Sequence, residues 1–167
     1  MEADIKEKLF KVLSKNDTGE TNSHQSGISI PKAVAKSSIF PQLGTDVLNP
    51  RTSIVFYDLE GEMFEFQYIY YNDIFFGKPK DKGHNEFRLT CVKDFIRKYN
   101  LIHGDQIWFG ISRSGVRYIG FIKQDYLMAE EPIINYGDTP NIIGPKSYIE
   151  NGVTIIKIGK NWKNIKY

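Results

Sequence analysis

The chain has 167 residues, of which 41% are hydrophobic and 14% aromatic, and its formal net charge at pH 7 is +2. This length and composition are typical of a single globular domain with one sizeable core. No stretch approaches the roughly 18 apolar residues of a membrane-spanning helix, and the charged N-terminus MEADIKEKLF lacks the apolar segment of a signal peptide. Cys91 is the single cysteine and has no internal disulfide partner, so we expect a cytoplasmic protein.

Apolar residues along most of the chain repeat with a period of two, which predicts β-strands. In chain order, we predict strands at 9–14, 28–31, 52–57, 62–70, 87–89, 106–112, 117–123 and 153–158. Two short helices are expected, one that starts at Pro31 and one over 90–99 with Thr90 as its N-cap. Cys91, Phe95 and Tyr99 would share one face of the second helix. Many strands and few helices favour a β-barrel or pseudobarrel.

The segment from Ala129 onward differs in composition from the rest. Its sequence AEEPIINYGDTPNIIGPK contains three prolines and two glycines, which indicates a wrapping segment or a linker. We therefore expect a pseudobarrel domain over residues 1–128, followed by an extension over 129–167 that packs on the barrel or leads to a linker.

The sequence patterns of common enzymes are absent. Cys91 and the three histidines show none of the short paired spacings of a metal site. Neither the nucleotide-binding pattern G-x-x-x-x-G-K-[ST] nor the G-x-S-x-G elbow occurs. The only nuclease-like D-x-K triplet begins at Asp4, with no upstream strand to supply a second carboxylate. We expect no catalytic residue, no metal site and no cofactor in this chain.

The first candidate site is a polar loop, since no apolar residue occurs from Asn16 to Gly27. Its side chains can both donate and accept hydrogen bonds, which suits the edges of bases in the major groove of DNA. Its few charges largely cancel, so it offers little attraction for phosphate. The candidate DNA-binding residues here are Lys15, Asn16, Asp17, Thr18, Thr21, Asn22, Ser23, His24 and Gln25.

The second candidate site is the loop GKPKDKGHNEFR, residues 77–88, in which positive charges outnumber negative ones. Such a loop is suited to hold a phosphate backbone, with a histidine and an asparagine available for bases. The candidate DNA-binding residues here are Lys78, Lys80, Lys82, His84, Asn85 and Arg88.

Both loops also have a simpler interpretation, because polar loops between strands are usually solvated connections. The aromatic run FEFQYIYY favours core packing over base stacking, since Phe64, Phe66 and Tyr68 would share one face of a strand. The residues alone therefore leave open a structural or protein-interaction β-barrel.

Longer motifs in the sequence resemble two related families. LSKNDTGETNSHQSGISIP resembles the N-terminal effector domain of EcoRII-type restriction endonucleases, whose pattern is Leu-Ser-x-Asn-Asp-Thr-Gly-x-Thr-x-x-His-Gln-x-Gly-x-x-Ile-Pro, and YYNDIFFGKPK resembles its YYN…FGK segment. ISIPKAVAKSSIFP, GEMFEFQYIYYN and FIRKYNLIHGDQIWF are similar to elements of the plant B-three DNA-binding domains. Together these motifs cover residues 13–109 in order.

The resemblance implies a mainly β fold, a seven-stranded B-three-like pseudobarrel with two short helices, that grips the major groove of duplex DNA between two arms. By matching positions, His24, Lys78 and Lys80 would contact DNA. Ser29 stands where the EcoRII-type pattern has a tyrosine and is added to the candidates, and this departure indicates a different recognition sequence.

The resemblance further implies a function in bacterial restriction-modification. We expect a non-catalytic, site-specific effector domain whose partner is double-stranded DNA. Two parent architectures are considered: an EcoRII-like endonuclease with a downstream nuclease domain, and a McrB-like, nucleotide-driven motor subunit of LlaJI-type systems that works with a nuclease partner subunit. The alternative remains a non-catalytic β-barrel that binds a partner protein.

Overall fold

The computed structural model of the chain describes residues 4–22, 27–83, 85–125, 146–150, 153–158 and 161–167. These residues form ten strands and two short helices. The elements in chain order are β1 (Ile5–Val12), β2 (Ile28–Ile30), α1 (Lys32–Ala35), β3 (Arg51–Tyr57), β4 (Met63–Asn72), β5 (Asn85–Thr90), α2 (Lys93–Lys98), β6 (Gln106–Ser112), β7 (Arg117–Ile122), β8 (Lys146–Glu150), β9 (Val153–Ile158) and β10 (Trp162–Lys166).

All ten strands belong to one sheet, in the order β2-β5-β4-β3-β7-β6-β1-β10-β9-β8. Neighbouring strands are antiparallel except β3 and β7, which run parallel and meet at Tyr57 and Tyr118. The prediction of a mainly β fold with two short helices is confirmed. The predicted number of seven strands is wrong, because β8, β9 and β10 extend the sheet beyond the seven strands that end at Ile122.

The sheet curves around an aromatic core. The ring of Phe40 lies 5.0 Å from that of Tyr68 on β4 and 6.1 Å from that of Phe109 on β6, although β3 and β7 separate these two strands in the sheet. Phe64, Phe66 and Tyr68 all point into this core, as their alternation predicts. Burial of such large apolar surfaces is the main stabilising contribution to a fold of this kind.

The second helix begins later than the sequence predicts. Thr90 is the last residue of β5 and does not cap the helix, because Cys91 has a left-handed backbone conformation with φ of +65° that separates strand from helix. Cys91 is exposed, so it does not share the buried face either. Phe95 is buried and its ring contacts that of Tyr99 at 5.0 Å, as expected. No helix among the described residues is long and apolar enough to cross a membrane.

The sequence pattern predicts the start of strand β1 four residues too late, because the inward-facing residue before Leu9 is charged. Glu7, Leu9 and Lys11 alternate into the barrel and are all buried. Glu7 accepts hydrogen bonds from Ser38 Oγ at 2.7 Å and from Asn164 Nδ2 at 2.9 Å. Burial works to raise the pKa of Glu7, but these hydrogen bonds outweigh it and the pKa is lowered. A buried carboxylate is thus tolerated where an apolar residue was expected.

Candidate nucleic-acid interface

Both candidate loops connect strands of the same sheet. The first arm is defined here as residues 13–27, between β1 and β2, and the second arm as residues 73–84, between β4 and β5. Four of the candidate residues lie outside the described part of the chain, namely Ser23, His24, Gln25 and His84. The remaining candidates can be placed individually.

The first arm begins with a compact turn that its own polar side chains hold. The amide of Ser14 donates to Asp17 Oδ2 at 2.8 Å, and the amide of Asp17 donates to Ser14 Oγ at 3.2 Å. The backbone continues with a bond of 2.9 Å from the amide of Glu20 to the carbonyl of Lys15. Reciprocal bonds of this kind give the backbone N–H groups hydrogen-bond partners in a segment that is neither strand nor helix. The turn therefore has a defined shape although it has no apolar residue.

Asp17 lies inside the structure and does not face solvent. Its carboxylate forms a buried ion pair with Lys11, and both side chains are less than a tenth exposed. Breaking such a pair by removing one partner leaves an uncompensated buried charge, which is strongly destabilising. Asp17 therefore links the first arm to the inward face of β1.

Other candidates in the first arm are more accessible. Lys15, Thr21 and Asn22 are exposed, whereas Asn16 and Thr18 are half-buried. The amide oxygen of Asn16 accepts a hydrogen bond of 3.2 Å from Thr21 Oγ1, which leaves the amide NH₂ of Asn16 to donate elsewhere.

A contact that the sequence does not predict tethers the first arm to the loop after α2. Glu20 Oε2 accepts from the amide of His103 at 3.0 Å, and Glu20 Oε1 lies 2.9 Å from His103 Nδ1. Hydrogen bonds from Thr18 Oγ1 and from His103 lower the pKa of Glu20 to about 2. The two residues are 83 positions apart, so no local pattern in the sequence could reveal the contact.

The second arm is anchored at its base by two asparagines. Asn72, the last residue of β4, exchanges hydrogen bonds with Asn49: the amide of Asn49 donates to Asn72 Oδ1 at 2.7 Å, and the amide of Asn72 donates to Asn49 Oδ1 at 3.1 Å. Asn72 Nδ2 also donates to the carbonyl of Val47 at 2.8 Å. The buried Asn72 side chain therefore joins the base of the second arm to the loop before β3.

The lysines of the second arm face solvent. Lys78, Lys80 and Lys82 are all exposed, and Lys78 Nζ lies 3.1 Å from the carboxylate of Asp73. The bend before Lys78 uses Gly77, whose φ of +94° favours glycine. Three exposed ammonium groups on one short loop create a local positive field, which attracts phosphate.

The two arms leave the sheet at opposite ends of β5. Strand β2 pairs with β5 so that Ile28 lies opposite Leu89, and the first arm therefore ends beside the C-terminal end of β5. The second arm instead enters β5 at its N-terminal residue, Asn85, which is exposed. The outward face of β5 lies between the arms and brings together Arg88 and its neighbour across the strands, Ser29.

Arg88 lies on this face but is buried. Its Nε and Nη2 atoms donate to Glu86 Oε1 at 3.3 and 2.8 Å, while Nη1 has no hydrogen-bond partner among the described residues. Ser29 is exposed beside it. Within the same described part of the chain, no group of histidine, cysteine or carboxylate side chains could hold a metal ion.

Comparison with known proteins shows similarity both to a sequence family and to solved structures. Residues 5–98 match the family described as "Restriction endonuclease EcoRII, N-terminal", and this match covers more than half of the chain. The fold is similar to that of the solved structure titled "Arabidopsis FUS3-DNA complex", with a TM-score of 0.51 and 22% sequence identity over 68% of this chain and 94% of that chain. No curated protein sequence matches.

Proposed function

The chain belongs to the family of the N-terminal domain of restriction endonuclease EcoRII, and from this membership we propose that it binds duplex DNA sequence-specifically and performs no catalysis itself. The observation that carries the proposal is the placement of a polar arm and a lysine-rich arm at opposite ends of β5. Such a pair of arms can grip the major groove from two sides.

We propose that the DNA-binding unit is the seven-stranded pseudobarrel formed by β1–β7, within residues 1–128. The likeness of the fold to the FUS3 structure supports this boundary, because that structure matches about two thirds of this chain. Residues 129–167 would form an extension that packs on the barrel through β10.

The two arms would make different kinds of contact. We assign phosphate contacts to Lys78, Lys80 and Lys82, because exposed ammonium groups attract the backbone of any sequence. We assign base contacts to the first arm, whose neutral donors and acceptors match base edges in the major groove. Asp17 would support the first arm from within through its pair with Lys11.

The biological setting is also a proposal. We propose a restriction system in the bacterial cytoplasm, in which this domain directs a cleavage activity located elsewhere to its target site. That activity would belong to a downstream nuclease domain, or to a nuclease subunit that works with a nucleotide-driven motor.

Salt titration of DNA binding tests the proposed function. Changing Lys78, Lys80 or Lys82 to alanine should weaken binding of all duplexes alike and reduce the slope of log K against log salt by about one per lost phosphate contact. The measurement is fluorescence anisotropy of a labelled duplex at a series of salt concentrations. Lys157→Ala, on β9 at the far end of the sheet order, is the control and should keep the wild-type slope.

Two outcomes would contradict the proposal. An unchanged slope in all three arm variants would remove the phosphate role of the second arm. If the unaltered protein binds no duplex at low salt, the arms do not bind DNA, and the β-barrel that binds a partner protein becomes the better hypothesis.

A further inference from the structure

Three successive apolar residues begin the second arm, and two of them face solvent. Phe75 is 77% exposed and Phe76 is 47% exposed, whereas the preceding Ile74 is half-buried. The two phenylalanine rings lie 5.6 Å apart in an edge-to-face arrangement with an interplanar angle of 76°. Large aromatic side chains with this exposure are costly in water, so they call for an explanation.

Within the described residues, the packing and backbone contacts that hold the shape of the arm do not involve these two rings. Ile74 packs against Gly83 so closely that a Cβ atom at Gly83 would lie 2.6 Å from Ile74 Cγ1. The backbone turn is closed by hydrogen bonds from the amide of Phe76 to the carbonyl of Asn72 at 3.3 Å and from the amide of Gly77 to the carbonyl of Ile74 at 3.1 Å. Ile74 is thus the internal anchor of the arm, and the phenylalanines are left free for another contact.

A second exposed apolar pair lies near the same base. Val47 and Leu48 are 53% and 56% exposed, and the hydrogen bond from Asn72 Nδ2 to the carbonyl of Val47 joins their loop to the start of the arm. We call Val47, Leu48, Phe75 and Phe76 the apolar patch. Exposed apolar side chains grouped at the base of one loop mark a candidate binding surface.

The charge around the patch favours DNA as its occupant. Lys78, Lys80 and Lys82 follow Phe76 within the same arm and are all exposed, so anything that covers the phenylalanines must also accept a cluster of positive charge. Duplex DNA does so with its phosphates. In the major groove, the apolar group on the base edges is the 5-methyl group of thymine, which contacts apolar side chains such as phenylalanine.

We propose that Phe75 and Phe76 contact thymine methyl groups in the major groove when the second arm binds DNA. This proposal rests on the proposed function and deepens it, because it gives the second arm a part in reading sequence in addition to holding phosphates. The arm would then combine charge-driven affinity from its lysines with discrimination by its aromatic rings.

The test begins with a duplex selected by the unaltered protein from a random pool. Phe75→Ala and Phe76→Ala should each weaken binding of this duplex about tenfold, because each variant loses the burial of an aromatic side chain. The salt slope should stay at the wild-type value, since no charge is removed. Leu59→Ala, at a residue that is 78% exposed in the turn between β3 and β4, is the matched control and should bind as the unaltered protein does.

A second duplex identifies the atoms that the rings contact. The selected sequence is synthesised with deoxyuridine in place of every thymidine, which removes only the methyl groups. The unaltered protein should bind this duplex about as weakly as the double variant Phe75→Ala/Phe76→Ala binds the thymine duplex, and the double variant should lose little more on the change to deoxyuridine. Such non-additivity is the sign of a direct contact.

Three results would overturn the proposal. Wild-type affinity of both phenylalanine variants for the selected duplex would exclude an apolar contact with DNA. Equal affinity of the unaltered protein for thymine and deoxyuridine duplexes would exclude the methyl groups, as would additive losses in the variants. None of these results would touch the proposed function, which is tested separately by duplex binding of the unaltered protein and by the salt slopes of the lysine variants.

Discussion

At the scale of single residues, the interior charges of this barrel connect loops to strands. Lys11 on β1 holds Asp17 of the first arm, and Glu7 on the same strand holds Ser38, which follows α1. Asp58, after β3, binds Lys98 of α2 at 2.8 Å. Each of these buried charges therefore meets a partner outside its own strand or loop, and such pairing offsets the cost of burying a charge.

Asp58 provides a prediction about acid stability. Burial works to raise its pKa, but hydrogen bonds from Lys98, from Tyr99 and from two backbone amides outweigh it and lower the pKa to about 2. Because the folded pKa lies below the unfolded value near 3.8, this stabilisation is present above about pH 4 and is lost as the pH falls through about 2. We expect Asp58→Asn to reduce the free energy of unfolding by about 2 kcal/mol at pH 7.

Urea unfolding between pH 7 and pH 2 checks this expectation. The difference between the unaltered protein and Asp58→Asn should shrink as the pH falls below 4, because Asp58 itself becomes protonated. Glu60→Gln is the control, since Glu60 also lies 3.1 Å from Lys98 Nζ but its side chain is 70% exposed. A difference that stays constant over the whole pH range would show that the charge of Asp58 is not what stabilises the fold.

The first arm provides a prediction about discrimination. The side chains of His24 and Gln25 can donate and accept hydrogen bonds, and such bonds to base edges distinguish bases, whereas phosphate contacts supply the nonspecific affinity. Alanine at either position should cost about 1 to 3 kcal/mol of discrimination between the selected and a random duplex. Both affinities are measured at one fixed salt concentration. Equal losses on the two duplexes would mean that the loop only shapes the arm.

The candidate residues were predictable from sequence where local composition decides their position. The lysines of the second arm are exposed because they occupy a loop of polar residues, glycines and a proline, and their exposure follows from that composition alone. The burial of Asp17 and of Arg88 was not predictable, because each depends on the partner that its side chain meets in the folded chain. The same is true of the tether between Glu20 and His103.

At the scale of elements, the period-two pattern predicts strands well only where the inward residues are apolar. It locates β4 because Phe64, Phe66 and Tyr68 alternate into the core. It misses β10, whose inward residues are Trp162 and Asn164. With an asparagine at one of only two inward positions, the short segment has no alternation of apolar and polar residues. Asn164 can be buried only because Glu7 accepts its hydrogen bond, a fact that belongs to the tertiary structure.

Two glycines in the first arm both have positive φ but differ in the space around them, and this difference gives a prediction about stability. Gly27 has φ of +125°, and a Cβ atom there would lie 2.7 Å from the carbonyl oxygen of Leu89 on β5. Gly19 also has positive φ, at +80°, but a Cβ atom there would meet nothing within 4 Å. We expect Gly19→Ala to cost about 1 kcal/mol of stability from backbone strain alone, and Gly27→Ala to cost more because strand β2 must also move away from β5.

Thermal melting and DNA binding of the two variants together test this pair. Gly27→Ala should lower Tm more than Gly19→Ala and should also weaken binding, since the end of the first arm is displaced from β5. Equal Tm values would contradict the close approach of Gly27 to Leu89. A lower Tm for Gly27→Ala with unchanged binding would show that the position of β2 does not matter to the arm.

At the scale of the whole molecule, the last strand of the chain pairs with the first strand. Strand β10 pairs with β1 from Glu7 to Lys11, on the side opposite β6. Its Trp162 is 6% exposed, belongs to the hydrophobic core and lies 6.5 Å from the ring of Phe109 on β6. The composition leaves open whether the extension packs on the barrel or leads to a linker, and Trp162 of this extension contributes to the core.

The final prediction follows from the burial of Trp162 in the core. Trp162→Ala should reduce the free energy of unfolding by about 3 to 5 kcal/mol, the usual cost of removing a buried tryptophan, whereas Trp162→Phe should cost less because it retains an aromatic ring. Trp108, the other of the two tryptophans, remains as the fluorescence probe for urea unfolding. None of the candidate DNA-binding residues lies on β10, so the folded fraction of Trp162→Ala should bind DNA with unchanged affinity and salt slope. If Trp162→Ala instead unfolds at the urea concentration of the unaltered protein, β10 does not stabilise the barrel, and residues 1–128 form the folding unit alone.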